Sequence, residues 1–250
     1  MNGAAISVTA LNKQFASLKV LVDLDLRIAD QELVCILGPS GSGKSTLLNV
    51  IAGLETDYTG TVALSENRVG YLFQEPRLLP WLTAERNVDF ALDSSNTPRA
   101  RRADLKDHYF ALVGLSGFRD YYPHQLSGGM RQRVALVRAL CVEPGILLMD
   151  EPFGGLDELT ARRLRVDLLR IWRETRKTIL FVTHNAYEAS YLADRVLVMA
   201  QGRIRDEIVV DVPRPRDYDD PAVFDVNRDV IRRFLALAEM TAEPLAASSP

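Results

Sequence analysis

The stretch Gly38-Pro39-Ser40-Gly41-Ser42-Gly43-Lys44-Ser45-Thr46 determines how the rest of this 250-residue sequence is interpreted. It follows the apolar run 33–37 and precedes the apolar segment 47–52, which is typical of a turn between a buried strand and a helix. Its spacing is the G-x-x-x-x-G-K-S pattern of a phosphate-binding loop. Glycines let backbone N–H groups approach a polyphosphate closely, and the helix N-terminus adds further unpaired donors.

Two side chains of this loop are expected to contact the nucleotide. Lys44 would reach the β- and γ-phosphates of ATP, and the Ser45 hydroxyl would hold Mg²⁺. The alternative is a glycine- and serine-rich turn that happens to precede a lysine. The strand before the loop and the helix after it make such a coincidence rare, so the loop predicts a nucleoside triphosphate site.

Two carboxylates follow a second apolar strand. Residues 146–149 run directly into Asp150 and Glu151. Asp150, at the strand end, is expected to hold Mg²⁺ or its coordinated water. Glu151 lies where the chain leaves the strand, so it can turn toward the γ-phosphate and polarise an attacking water, a role worth roughly 10²–10⁴ in rate. A pair of capping or solvated acids is the weaker alternative after a phosphate loop.

A second helix terminus has the same phosphate-binding character. The segment 126–133, with the sequence LSGGMRQR, opens a helix; Ser127 is a good N-cap, and Gly128 and Gly129 leave further backbone donors accessible. A single ATP site has no evident use for two such termini. The pattern therefore indicates that two chains share their sites.

Short apolar runs alternate with helical segments, and a helical pattern alone extends from Ala84 to Leu140. This order predicts an α/β core with a largely parallel sheet and an inserted helical subdomain. Ligands of such sheets lie at the C-terminal ends of the strands. Four segments each follow directly on a strand and are expected to gather around one phosphate chain: the phosphate loop, Gln74, Asp150-Glu151 and His184.

The N-terminal segment predicts two strands, 6–11 and 20–28, separated by a polar turn. In the second, charged and apolar residues alternate with the period of a half-buried strand. Phe15 lies in the turn. Its ring is either part of the core, which the position alone favours, or a platform for a nucleotide base.

Composition limits the possible partners. The formal net charge is −3, so no nucleic-acid partner is expected, and the arginine-rich stretches 99–102 and 162–165 are interpreted as solvated helix faces. Cys35 and Cys141 lie in apolar contexts and are expected to be buried thiols. The sequence has neither a signal-peptide pattern nor an apolar stretch of 18 residues, so any membrane role is expected to act through a partner.

The motifs together resemble the nucleotide-binding subunit of ATP-binding cassette (ABC) transporters over nearly the whole chain. The resemblance implies a P-loop NTPase (RecA-like) core with a mainly parallel sheet, an N-terminal antiparallel β subdomain and an inserted α-helical subdomain. It also implies that Phe15 stacks on adenine, that Gln74 contacts Mg²⁺ and the attacking water, and that His184 senses the γ-phosphate. In order, the motifs are the A-loop Phe15, the Walker A loop 38–46, the Q-loop Gln74, the signature 126–129, the Walker B strand 146–150, the catalytic Glu151, the D-loop 155–157 and the switch His184.

The resemblance implies one nucleotide-binding domain, 1–250. Its ATP-binding core would comprise 1–74 and 143–210, its helical signature subdomain 75–142 and its C-terminal extension 211–250. Four residues depart from the common family pattern without removing a catalytic group: Gln31, Met130, Gly155 and Asn185.

The segment 74–83, QEPRLLPWLT, the signature with Met130, and the sequence PRPR at 213–216 resemble the nitrate, sulfonate and taurine importer ATPases. The resemblance implies two copies stacked head to tail, transmembrane permease subunits, a solute-binding protein and a place on the cytoplasmic face of the inner membrane. Leu79 and Trp81 are candidate permease contacts, or else core of the helical insert. The rivals are a soluble ABC ATPase of repair, translation or regulation, and a P-loop kinase or GTPase, which the signature disfavours.

Overall fold

The computed structural model describes the backbone of residues 3–95 and 97–241 and the side chains of 3–95 and 97–237. The chain divides into two compact units, one within Met1–Ser65 and Leu180–Pro250 and the other Glu66–Ile179. Residues 242–250 of the predicted C-terminal extension lie outside the described residues. The strands are β1 (Ala4–Phe15), β2 (Leu18–Ala29), β3 (Leu33–Leu37), β4 (Thr59–Leu64), β5 (Val69–Leu72), β6 (Ile146–Asp150), β7 (Thr178–Thr183), β8 (Arg195–Ala200) and β9 (Arg203–Val209). The helices are α1 (Lys44–Ile51), α2 (Ala84–Asp93), α3 (Arg99–Leu112), α4 (Gly128–Cys141), α5 (Glu158–Thr175), α6 (Ala186–Leu192) and α7 (Pro221–Thr241), with 3₁₀ turns at Ser116–Phe118 and Pro123–Gln125.

The first unit contains an antiparallel sheet in the order β2-β1-β4. Val8 of β1 pairs with Leu26 of β2 on one side and with Val62 of β4 on the other. In β2, Leu24, Leu26 and Ile28 are buried while the charged residues between them are exposed. The period of two therefore places one face of this sheet on the core, as the sequence predicts.

The first unit also holds the strands that carry the phosphate loop. All five residues of β3 are buried, and β3 pairs in parallel with β8, to which β9 is antiparallel. On its other side, β3 is followed by β7, whose residues from Leu180 onward belong to this unit. Helix α6 packs on β3, and α7 packs on α6. Continuous apolar runs suit parallel strands that are covered on both faces.

The second unit combines a parallel strand pair with four helices. Val69–Leu72 pair in register with Ile146–Met149, so β5 and β6 run side by side. Helix α4 packs against α2 and α3. One face of α5 is apolar and buried: Leu164, Leu168, Ile171 and Trp172. The parallel pairs, the antiparallel sheet and the helical insert confirm the predicted α/β fold.

Two interpretations made from the sequence are wrong, and one of its alternatives is excluded. Arg165 is not on a solvated face but only 2% exposed, because it lies on the buried side of α5 beside Leu164 and Leu168. Phe15 is the last residue of β1 rather than a turn residue, and its ring is 47% exposed, which excludes a core role. Trp81 is 69% exposed and therefore is not core of the helical insert.

The two cysteines are buried, as predicted. Burial raises the pKa of the Cys141 thiol to about 12 and also raises that of Cys35. No helix in the described part of the chain is long and apolar enough to cross a lipid bilayer.

Candidate functional site

The phosphate loop joins β3 to α1 in the first unit, and packing fixes two of its glycines. A Cβ on Gly38 would lie 2.5 Å from the backbone O of Met199, and a Cβ on Gly43 would lie 2.8 Å from the O of Val20. Gly43 also has φ of +102°, in the left-handed region that favours glycine. The two glycines let the loop fold closely against the neighbouring backbone.

The N-terminus of α1 is open toward a ligand. Gly43 is its N-cap, and within the described residues no side chain caps it. The buried Ser42 Oγ has no hydrogen-bond partner among the described residues. Around Gly41, whose φ is +79°, a Cβ would meet no atom within 4 Å. Backbone donors, an unsatisfied hydroxyl and free space are the features that a phosphate group requires.

Lys44 is held inside this loop. The residue is 5% exposed, and its Nζ donates hydrogen bonds to the carbonyl oxygens of Gly38 at 2.8 Å and Pro39 at 2.9 Å. The neighbouring Ser45 is exposed, and Thr46 is half-buried. The loop carbonyls therefore hold the ammonium group where the backbone turns. The exposed Ser45 hydroxyl is accessible to a cation that enters from solvent. The residues fit a nucleoside triphosphate with its Mg²⁺.

His184 follows β7 directly and is exposed. The next residue, Asn185, caps α6: its Oδ1 accepts from the backbone N–H of Tyr187 at 2.9 Å and of Glu188 at 3.2 Å. The cap needs only a side-chain oxygen, so Asn185 serves here as an aspartate would. Thr183 Oγ1 donates to Glu188 Oε2 at 2.7 Å and accepts from the Asn185 N–H at 3.0 Å, which fixes the backbone on both sides of His184.

The two carboxylates lie in the second unit, at the end of β6. Asp150 is the last residue of the strand, and Glu151 has φ of +41°. This left-handed backbone is uncommon for a residue with a side chain and turns the chain sharply out of the strand, as the sequence predicts. Gln74, two residues beyond β5, donates from Nε2 to Glu151 Oε2 at 3.3 Å. The Q-loop glutamine and the predicted catalytic carboxylate are therefore neighbours.

The signature opens α4 with a completed cap. Ser127 Oγ accepts from the backbone N–H of Met130 at 3.2 Å. A Cβ on Gly129 would lie 2.2 Å from Thr160 Cγ2, so close packing on α5 requires glycine there. A Cβ on the exposed Gly128 would meet nothing closer than 3.9 Å. Internal packing therefore explains Gly129 and leaves Gly128 unexplained.

Two residues that the sequence analysis did not single out connect these motifs. Gln132 is 3% exposed and donates from Nε2 to the Pro152 carbonyl at 3.1 Å, directly after Glu151. Arg138 donates to the carbonyls of Pro76 and Arg77, both at 2.8 Å, and so anchors the Q-loop. Gln132 lies three residues after Gly129 on the buried side of α4, and this spacing is the signal that could have identified it.

A groove of about 480 Å³ opens beside the Q-loop within the second unit. Phe90, on its rim, is 60% exposed, and the Arg77 guanidinium lies 4.2 Å from the centre of the Phe73 ring. Further lining residues include Tyr71, Ala91, Ser94 and Val142. The groove is therefore an accessible, partly aromatic surface next to a predicted catalytic segment.

The predicted site residues fall into two sets. Phe15, the phosphate loop 38–46 and His184 belong to the first unit, while Gln74, Ser127–Gly129, Asp150 and Glu151 belong to the second. Each set has the local geometry that its predicted chemistry needs. Their assembly around one nucleotide remains a prediction.

Comparison with known proteins gives consistent matches. Residues 21–154 match the family model described as ABC transporter. The chain is 45% identical over 223 residues to the aliphatic sulfonates import ATP-binding protein SsuB 1 of Pseudomonas savastanoi pv. phaseolicola, covering 88% of this chain and 92% of the relative. It is 44% identical over 208 residues to an uncharacterised ABC transporter ATP-binding protein of Methanocaldococcus jannaschii, covering 80% and 78%.

Solved structures share the fold. A dimeric ATP-binding cassette, MJ0796, in a post-hydrolysis state bound to ADP and Pi matches with a TM-score of 0.73 and 29% identity, over 83% of this chain and 100% of that one. A second dimeric structure of the same cassette has a TM-score of 0.74 and 30% identity over the same shares.

Proposed function

This chain belongs to the ABC transporter family, and from that premise we propose that it is the ATPase subunit of a bacterial importer for an aliphatic sulfonate or a similar small solute such as nitrate or taurine. The import proteins among its relatives favour transport over the soluble, non-transport alternative. In the proposed importer, other subunits bind the solute.

The observation that carries the proposal is the open N-terminus of α1. Its uncapped first turn, the unsatisfied Ser42 hydroxyl and the inward Lys44 ammonium form a cradle for a polyphosphate. The N-terminus of a helix stabilises a bound anion because its N–H groups and the positive end of its dipole both point toward the anion. ATP binding follows from residues within one unit.

The proposed hydrolysis uses carboxylate and amide groups of the second unit. Ser45, Asp150 and Gln74 would hold Mg²⁺, which when bound neutralises charge on the β- and γ-phosphate oxygens. Glu151 would accept a hydrogen bond from the attacking water and orient it. The hydrogen bond from Gln74 to Glu151 supports this role, because it directs the carboxylate and the Q-loop amide to the same place. His184 would contact the γ-phosphate.

Two copies are proposed to complete each site. The Walker A loop of one chain and Ser127–Gly129 of the partner subunit would enclose each ATP. The exposed Gly128, whose missing side chain internal packing does not explain, supports a ligand approaching that turn from outside. The dimeric cassette solved with ADP and Pi supports the pairing of two copies.

The groove beside the Q-loop is proposed as the surface for the permease. Phe90 and Trp81 are exposed aromatic residues on the same unit as Gln74, and aromatic residues are enriched at protein interfaces. A permease segment there would act on the Q-loop directly, through Phe73 and the carbonyls that Arg138 holds. The subunit would then lie on the cytoplasmic face of the cell membrane, with a solute-binding protein on the other side.

Growth tests examine this proposal. A strain lacking the gene is grown with an aliphatic sulfonate, taurine or nitrate as the sole source of sulfur or nitrogen, and complemented with the wild type or with Glu151→Gln. Only the wild type should restore growth on the transported solute. Unimpaired growth of the deletion strain on all three, together with no co-purifying membrane protein, would favour the soluble alternative.

A further inference from the structure

Lys13 is a buried lysine beside the predicted adenine platform. It lies two residues before Phe15 on β1 and is only 4% exposed. Residues two apart on a strand point to the same face. The Nζ of Lys13 accordingly lies 4.5 Å from the centre of the Phe15 ring.

Two acids hold this ammonium group in place. Lys13 Nζ is 3.1 Å from Glu55 Oε1 and 3.1 Å from Asp57 Oδ2, and it donates to the Asp57 carbonyl at 2.6 Å. Burial opposes the charge, but the hydrogen bonds and charges of the two carboxylates outweigh it and raise the pKa of Lys13. The cation beside the ring is therefore both charged and fixed.

The contact restrains a ring that would otherwise be free to turn. Phe15 ends its strand and is 47% exposed, so little packing limits its side chain. An ammonium group is attracted to the face of an aromatic ring. A ring that is already held in one orientation loses less conformational freedom when a ligand stacks on it.

We propose that Lys13 is a positioning residue for adenine recognition: it fixes the ring of Phe15 in the orientation that stacks on the base. This inference rests on the proposed function, in which Phe15 contacts the adenine of ATP. Glu55 and Asp57, on the segment between α1 and β4, complete the device because they hold the Lys13 ammonium against the ring.

The experiment separates the base from the phosphates. Dissociation constants of ATP and of inorganic tripolyphosphate are measured by competition with a fluorescent ATP analogue, and the tripolyphosphate constant divided by the ATP constant reports the contribution of the nucleoside. Lys13→Met keeps the aliphatic stem and removes the charge; it should reduce the ratio about two- to tenfold, the range expected for the ordering of one side chain. Tripolyphosphate affinity should stay within about twofold, as expected if the phosphate loop is unaffected.

Matched variants make the result specific. Lys19→Met removes an exposed lysine that lines the same 210 Å³ cavity as Lys13, and it should leave the ratio unchanged. Lys13→Arg, which keeps the charge, should retain most of the wild-type ratio. Glu55→Gln and Asp57→Asn added to Lys13→Met give a neutral cluster without unpaired acids; this triple variant should show the same loss if the missing cation, rather than misfolding, is the cause.

Phe15→Ala distinguishes the two levels of the proposal. It should reduce the ratio about 5- to 100-fold, the usual value of one base–aromatic stack. An unchanged ratio in a folded Lys13→Met or triple variant, while Phe15→Ala reduces it, overturns the role of Lys13 alone. An unchanged ratio in Phe15→Ala overturns both the stacking assignment and Lys13, and a wild type that binds tripolyphosphate but shows no preference for ATP contradicts adenine recognition altogether.

Discussion

Two helices in different units begin at glycine-rich turns, but their N-termini are capped differently. Helix α1 starts after Gly43 with no side-chain cap among the described residues, whereas α4 starts after Ser127, whose hydroxyl accepts from the Met130 N–H. Among the described residues, no side-chain oxygen caps the first turn of α1. In the first turn of α4, one donor is already satisfied within the chain. A helix end without a side-chain cap is suited to an anion, so we expect the α1 terminus to bind an anion more strongly by itself than the α4 terminus does.

The glycines show the same contrast. Gly38 and Gly43 are required by close approach to other backbone, so the Walker A loop is shaped by its own unit. In the signature, Gly129 is required by the close approach of a side chain, that of Thr160, and Gly128 leaves an open surface. From this contrast we predict that the first terminus binds nucleotide alone and that the second contacts a nucleotide held by another chain.

The largest expected effect is on turnover, in a variant of the second unit that should leave ATP binding by the first unit intact. Glu151→Gln should lower turnover by about 10²–10⁴, the usual contribution of a positioned base, and should leave ATP affinity nearly unchanged. The variant should also accumulate as an ATP-bound dimer. Phosphate release and size-exclusion chromatography with ATP measure the two properties. Turnover at the wild-type rate would remove Glu151 from the mechanism.

Ser127→Arg tests whether hydrolysis at one chain's ATP site requires the α4 N-terminus of a second chain. A bulky cation at the exposed start of α4 should lower turnover by about 100-fold or more, comparable to the loss of a catalytic contact, because it blocks the shared surface. Nucleotide affinity of the monomer should be retained. Ser116→Arg, at another exposed serine of the same unit, is the control and should be active. Equal turnover in both variants would refute the shared site.

Lys44→Ala tests the first terminus. The loss of a charged hydrogen-bonding group from a phosphate site costs about 1.5–3 kcal/mol, so ATP should bind about 10- to 100-fold more weakly and turnover should fall with it. Equilibrium binding of a fluorescent ATP analogue measures the effect. Wild-type affinity would mean that the Walker A loop does not bind phosphate here.

The smallest effect concerns a third helix start, that of α6, where the cap is purely structural. Asn185→Ala should destabilise the protein by about 1 kcal/mol and lower Tm by about 2–4 °C. Asn185→Asp should keep both cap hydrogen bonds and most of the stability. Thermal unfolding followed by circular dichroism compares the variants; equal losses in both would show that the cap is not what Asn185 contributes.

Much of the fold was predictable because apolar periodicity is local. The buried β3 and the alternating β2 appear where the sequence predicts them, and the stripe of α5 is buried. The burial of Arg165 contradicts the prediction from charge alone. Its position four residues after the buried Ala161 was the missed signal. It donates to Glu158 Oε1, two turns earlier on the same helix, at 3.1 Å, and its guanidinium lies 5.7 Å from the centre of the Phe153 ring, a contact from outside the helix.

The backbone of the site was less predictable. Gln31 has φ of +62° where the family commonly has glycine, and Glu151 has φ of +41°. Residues other than glycine at such φ angles carry a local backbone strain energy that the surrounding structure must offset. Sequence patterns identified Gln74 and Glu151 separately, but the hydrogen bond between them depends on how β5 and β6 end.

Cross-linking tests the central claim that each ATP site is shared by two chains. In the Glu151→Gln background, one chain carries Ser40→Cys in the Walker A loop, and a second chain of different tag size carries Ser127→Cys in the signature. The native cysteines are buried, so a short bis-maleimide should react at the introduced positions. We expect ATP to increase the link between the two different chains far more than any link between identical ones. An ATP-trapped dimer in which the mixed link does not form, or forms equally without ATP, would contradict the account.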